Sequence, residues 1–179
     1  MVDIESWCPE SASEAGMSKT ANLALSLIEL ATQVRTITLR QLEASEATLL
    51  TWAPSGTSNH ILWHAGHALW VADVLTIEPL TKRCELPAGW DKTFGEASHP
   101  GDTIQWPTVS EVHELLKAQL GRVQSLFDSE AETIVSRASE LIPQNGWPLL
   151  RGIVHGWHDE ARHQGEMHLL TKLYRNGDT

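Results

Sequence analysis

A chain of 179 residues with 41% hydrophobic and 20% charged side chains suits a single folded domain with its own core and excludes wholesale disorder. Acidic residues outnumber basic ones 23 to 13, and a surface of formal charge −10 repels phosphate backbones and anionic lipid, so no nucleic-acid and no membrane partner is expected. No apolar run approaches the ~20 residues that span a bilayer, and the opening MVDIESWCPE lacks a leader pattern. This leaves a cytoplasmic protein whose Cys8 and Cys84 stay reduced.

Residues 1–17 are polar and without period, and read as a flexible arm ahead of one domain over 18–179. Leu23, Leu27, Leu30, Val34 and Ile37 then recur at steps of four and three, the seam of a first amphipathic helix from about Thr20 to Ala47. Pro54 and Gly56 break the chain. Ser58 is placed to cap a second helix from Asn59 to about Ile77, ending before Pro79.

The stretch from Pro79 to Pro107 is a long connection with little period, and such connections usually cover a site. Thr108 and Glu111 form a T-x-x-E capping box for a third helix with the stripe Val112, Leu115, Leu116, Gln119 and Val123. After Phe127 a weaker segment runs to Pro143 and Gly146. Asn145 and Pro148 suit the start of a fourth helix that ends near Tyr174, before Asn176 and Gly177. Four long helical segments without alternating strands predict an all-α, antiparallel four-helix bundle with its long connection between helices two and three.

Nine histidines and eight tryptophans stand against two phenylalanines and one tyrosine. In NHILWHAGHALW, His60, His64 and His67 step by four and three along one face, continued by Val71 and Val74 and flanked by Trp63 and Trp70. A stripe that changes from imidazole to apolar enters the interior while staying polar near one end. In VHGWHDEARHQGEMHLL, His155, Asp159 and His163 share a face with Glu166 close by, and Asp159 with His163 can reach one ion. His158 lies five before His163, about 140° around the helix, and joins it only through a π-bulge. That spacing also excludes the H-E-x-x-H pattern. One imidazole from helix two with an imidazole and a carboxylate from helix four make a three-point metal site with open positions.

Trp63 to His67 (W-H-A-G-H) and His158 to Glu166 (H-D-E-A-R-H-Q-G-E) resemble the W-H-x-x-H and H-x-x-x-H-x-G-[QE] segments of the DinB/YfiT-like superfamily of metal-dependent enzymes. The likeness covers Ser18 to Tyr174. It implies a four-helix bundle, frequently homodimeric, that holds a divalent metal, often zinc or nickel, through one histidine of helix two and two of helix four. By motif alignment these ligands fall on His67 and His163, with Asp159 where the family's first helix-four histidine would stand. Two imidazoles and a carboxylate admit iron as well. His64, His60 and Glu166 are then the candidates for catalytic acid–base work or for hydrogen bonds to the ligands.

Relatives include thiol transferases that use bacillithiol, mycothiol or glutathione, and a domain of sulfoxide synthases. The resemblance therefore implies thiol S-transfer or metal-assisted hydrolysis on a small-molecule substrate, in the first case with a low-molecular-weight thiol. The competing readings are a non-catalytic metal-binding or sensor protein and a helical dimerisation module without metal.

Overall fold

The structure, a computed structural model, describes residues 19–102, 105–143 and 145–177, and the expected arm, with Cys8, lies outside them. The described residues form α1 (Lys19–Glu43), α2 (Ile61–Ala72), α3 (Glu78–Thr81), α4 (Trp90–Phe94), α5 (Val109–Ser129), α6 (Ala131–Ser136) and α7 (Leu149–Asn176). A π-helical turn, Asp73–Ile77, joins α2 to α3 without a break. No strand forms among the described residues; Leu141 and Pro148 make an isolated bridge. The fold class is all-α, as expected.

Two apolar clusters fix the helix directions. One gathers Leu27, Ala31, Val71, Leu75, Val123, Phe127, Leu149 and Ile153, and the other gathers Leu42, Ile61, Leu69, Val112, Leu116 and Met167. Early α1 and early α7 thus meet late α2 and late α5. Consequently α1 runs parallel to α7, and α2 parallel to α5, while α1 against α5 and α2 against α7 are antiparallel. Polar contacts agree: Val34 O accepts from Gln164 Nε2, and Gln41 Nε2 donates to Gln164 O, whereas Gln124 Nε2 donates to Thr32 Oγ1 and His113 meets Glu43. A wholly antiparallel arrangement is therefore not what the four long segments adopt. The long connection after α3 lets α5 descend beside α2 instead of returning against it.

Several boundaries differ from those read in the sequence. Helix α2 is capped by His60, not Ser58: His60 has extended backbone and its Nδ1 accepts from Trp63 N at 3.1 Å. The next free donor, Leu62 N, is satisfied by Leu50 O at 2.9 Å, so the helix starts at Ile61 without a serine. The same helix passes Pro79, because the π turn opens a new first turn at Glu78, where a proline lacks nothing. On α1 the buried line is Ala24, Leu27, Ala31, Val34, Arg35, Thr38 and Leu42. Ile37, expected in the seam, faces outward at 45% exposure because α1 packs between α5 and α7 on its other side. The capping box of α5 forms as read, with Thr108 Oγ1 accepting from Glu111 N and Glu111 Oε2 accepting from Thr108 N. No helix among the described residues is long and apolar enough to cross a membrane.

Candidate metal centre

The imidazole stripe of α2 lands in the interior: His60, His64 and His67 are all buried. Helix α2 is otherwise apolar, so it is covered on every side, and a helix apolar all round has no solvent face to offer its histidines. Trp63 stacks on His67 with ring centroids 4.7 Å apart and planes 16° from parallel. The connection after α3 closes over this face. Trp90 Nε1 donates to Gly66 O at 3.0 Å, and Trp63 Nε1 donates to Ser98 Oγ at 2.9 Å. Gly66 permits the approach, since a β-carbon there would overlap the Phe94 ring.

Held so close, Phe94 O accepts from His67 Nδ1 at 2.6 Å. A carbonyl only accepts, so Nδ1 carries the hydrogen and Nε2 is left with its lone pair. That nitrogen faces α7, an unbroken α-helix on which Asp159 and His163 stand one turn apart. Asp159 Oδ2 lies 3.2 Å from His163 Nε2 and 3.7 Å from His67 Nε2. One ligand atom from each of these three residues lies within 4.8 Å of the others. An ion with metal–ligand bonds of ~2.1 Å in tetrahedral geometry spaces its ligands by about 3.4 Å, so the donor set fits a metal of that kind.

The opposite nitrogen of His163 meets His64 and Glu166. His163 Nδ1 is 2.8 Å from His64 Nδ1, and Glu166 Oε2 is 3.2 Å from His64 Nδ1 and 3.4 Å from His163 Nδ1. His64, His163 and Glu166 form a second group that could hold an ion. Of the two facing nitrogens one must carry the hydrogen. Burial, aided by the neighbouring His163, His67 and His60, lowers the His64 pKa to about 3, so its ring is neutral. Burial also lowers that of His67, against the opposing pull of the Phe94 carbonyl. For Asp159, burial pushes the carboxyl up, but its bond to His163 and the charges of His163, His67 and Arg162 outweigh this and leave it below its usual range. The cluster thus sets the neutral rings of His64 and His67 beside an ionised Asp159 carboxylate, protonation states that suit metal ligands.

The structure brings together five of the six candidates from the sequence: His67, Asp159 and His163 around one point, His64 and Glu166 behind His163. His158 is exposed, and His155 leans edge-on against Trp147 at 4.5 Å, so neither enters the cluster. His60 serves as the helix cap, with its ring edge-on to Trp106 at 4.4 Å. The Phe94 carbonyl and the Trp90 anchor were invisible in the sequence, which offered only the length of the connection as a signal. Beside the cluster a cavity of about 590 Å³ lies between α2 and α7, with His67 and Asp159 at one end. A hollow of about 690 Å³ between α4 and α5 touches none of the clustered residues.

The sequence model of a protein family described as the DinB superfamily matches residues 30–167, a span that takes in both histidine segments. No curated protein matches the chain.

Proposed function

The chain belongs to the DinB superfamily, and from that premise we propose that it is a metal-dependent enzyme acting on a small molecule by thiol S-transfer or metal-assisted hydrolysis. His67, Asp159 and His163 are the ligands, for zinc or nickel first and iron next. The observation that carries this reading is the convergence of His67 Nε2, His163 Nε2 and Asp159 Oδ2 while the other nitrogen of each imidazole already has a partner. Ligating imidazoles are oriented in this way by their second hydrogen bonds. Bound there, a divalent ion would act as a Lewis acid and lower the pKa of a thiol or water that reaches it.

The chain's own groups do the rest. Phe94 O fixes the His67 tautomer. His163, ligating through Nε2, would carry its hydrogen on Nδ1 and donate it to His64 Nδ1. Glu166, half-exposed beside that pair, is placed to receive a proton and pass it to solvent. Trp63, wedged among His64, His67 and His163, keeps water from that side. The free, exposed Cys84 suits a reducing cytoplasm, and the reading includes a homodimer as in the family resemblance.

Calorimetric titration of metal-free protein with zinc and nickel tests the ligand set. His163→Ala should abolish stoichiometric binding, Asp159→Ala should weaken it about 10- to 100-fold, and His158→Ala should bind as the parent does. Parent-like affinity in Asp159→Ala would remove the carboxylate from the set, and loss in His158→Ala with retention in His163→Ala would overturn the site.

A further inference from the structure

His163 belongs to both groups of ligand-type side chains and turns a different ring nitrogen to each. Its Nε2 faces Asp159, and its Nδ1 faces His64 and Glu166. The two nitrogens of an imidazole direct their lone pairs or hydrogens away from different edges of the ring. The second group therefore lies on the far side of His163 from the first. Helix α2 supplies His64 to it, and α7 supplies His163 and, three residues on, Glu166. His64 is buried and Glu166 half-exposed, so this group is closed on its inner side and open to solvent on its outer side.

The three facing atoms make a compact triangle. His64 Nδ1 is 2.8 Å from His163 Nδ1, and Glu166 Oε2 is 3.2 Å from the first and 3.4 Å from the second. The point equidistant from all three lies about 1.8 Å from each. An ion with bonds of ~2.1 Å would sit about 1 Å out of their plane, with a fourth position open. The same three atoms are short of hydrogens. With Nε2 of His163 turned to the inner ligands as a donor of its lone pair, Nδ1 carries one hydrogen, and His64 Nδ1 must accept it. A carboxylate brings none. His64 Nδ1 therefore also meets Glu166 Oε2 lone pair to lone pair, and a cation among the three removes that conflict.

We propose that His64, His163 and Glu166 form a second site for a divalent cation of the zinc and copper class, joined to the inner site by the imidazolate of His163. With the inner ion alone, the Nδ1 hydrogen of His163 lies between the two rings. Entry of a second ion breaks that N–H bond. The proton leaves to solvent past Glu166, and the electron pair left on Nδ1 forms the bond to the ion. His64 Nδ1 and Glu166 Oε2 add a lone pair each, and nothing is oxidised or reduced. Two ions on opposite edges of one ring stand about 6 Å apart. The negative imidazolate between them offsets their repulsion. The inner ion rests on the metal-dependent reading, whereas the second donor set stands on its own geometry.

Copper(II) reads the bridge directly. Metal-free protein is titrated with copper(II) by calorimetry, and the same samples are followed by electron paramagnetic resonance at low temperature. Two ions should bind per chain. The resonance should grow up to one copper per chain and then shrink, as the second ion couples to the first through the ring. Glu166→Gln should weaken the second event at least about tenfold and leave the first within about threefold, with no loss of resonance on further copper. One ion per chain, lost in Asp159→Ala and kept in Glu166→Gln, overturns the bridge and leaves the metal-dependent reading standing. Two ions whose resonances simply add overturn it as well, as does a second event unchanged in Glu166→Gln. A single ion that Glu166→Gln abolishes and Asp159→Ala spares overturns both the bridge and the inner ligand set, and no uptake at all overturns the metal reading itself.

Discussion

His60 combines two demands that both oppose protonation. Its Nδ1 must keep a lone pair for Trp63 N, and its ring is buried, which lowers its pKa from 6.5 to about 4. Above pH 6.5 the ring is neutral folded or unfolded, and His60 adds no pH dependence. As pH falls from there the unfolded chain takes the proton first, so stability drops between about 6.5 and 4 and the loss levels off below. Linkage over that window gives a loss of about 2 kcal/mol by pH 5. Asparagine keeps a capping acceptor without a titrating ring. In metal-free protein, the urea midpoint of His60→Asn should therefore fall less between pH 7.5 and 5 than that of the parent. An equal fall in both would assign the acid sensitivity to other groups. The spacing of His60, His64 and His67 announced a common face, and the structure keeps His64 and His67 on it beside α7. It could not announce that His60 is the cap, because that depends on Leu50 O reaching Leu62 N from an irregular loop.

At the scale of elements, the strap around α4 decides how His67 is presented. Its three anchors are Trp90 on Gly66 O, Ser98 under Trp63 Nε1, and Phe94 O on His67 Nδ1. All three need α2 and α4 to touch, and a β-carbon at position 66 would overlap the Phe94 ring. Gly66→Ala should push Phe94 away, release the His67 hydrogen bond and weaken zinc binding about 10- to 100-fold while far-ultraviolet circular dichroism stays helical. Zinc affinity equal to the parent's would show that His67 does not depend on the strap. The existence of a covering segment was legible from its length and lack of period. Its contacts were not, because they join residues 24 to 35 apart, and two of the three run through a backbone carbonyl, which carries no sequence signature. The same limit applies to the α2 stop. Pro79 is a sound terminator of an α-helix, but the π turn over Asp73–Ile77 resets the hydrogen bonding before it.

The molecule as a whole is two apolar clusters with a polar belt between them. The belt holds the histidine cluster on one side and a buried ion pair on the other. Arg35 Nε donates to Glu160 Oε1 at 2.9 Å and Arg35 Nη2 to Glu160 Oε2 at 2.9 Å, while Nη1 reaches Leu116 O and Gln119 Oε1. Thr38 Oγ1 adds a further bond to Glu160, so the network ties α1, α5 and α7 at one level. Glu160 is flanked in sequence by Asp159 and shares α7 with His163, and its anchoring fixes the rotation that turns those two side chains toward α2. In the sequence, Arg35 and Glu160 are single charges on otherwise buried faces, and only the register between α1 and α7 reveals that they meet. Removing one partner leaves the other charge buried. Glu160→Ala should therefore cost about 3–5 kcal/mol, since the guanidinium keeps only neutral acceptors. Replacing both by apolar side chains, Arg35→Met with Glu160→Leu, removes the stranded charge and should recover more than half of that loss. Urea denaturation of the parent, the two single variants and the double variant measures this directly. If the double variant falls by the sum of the single losses, the pair is not coupled and the belt does not hold α7 in the way argued.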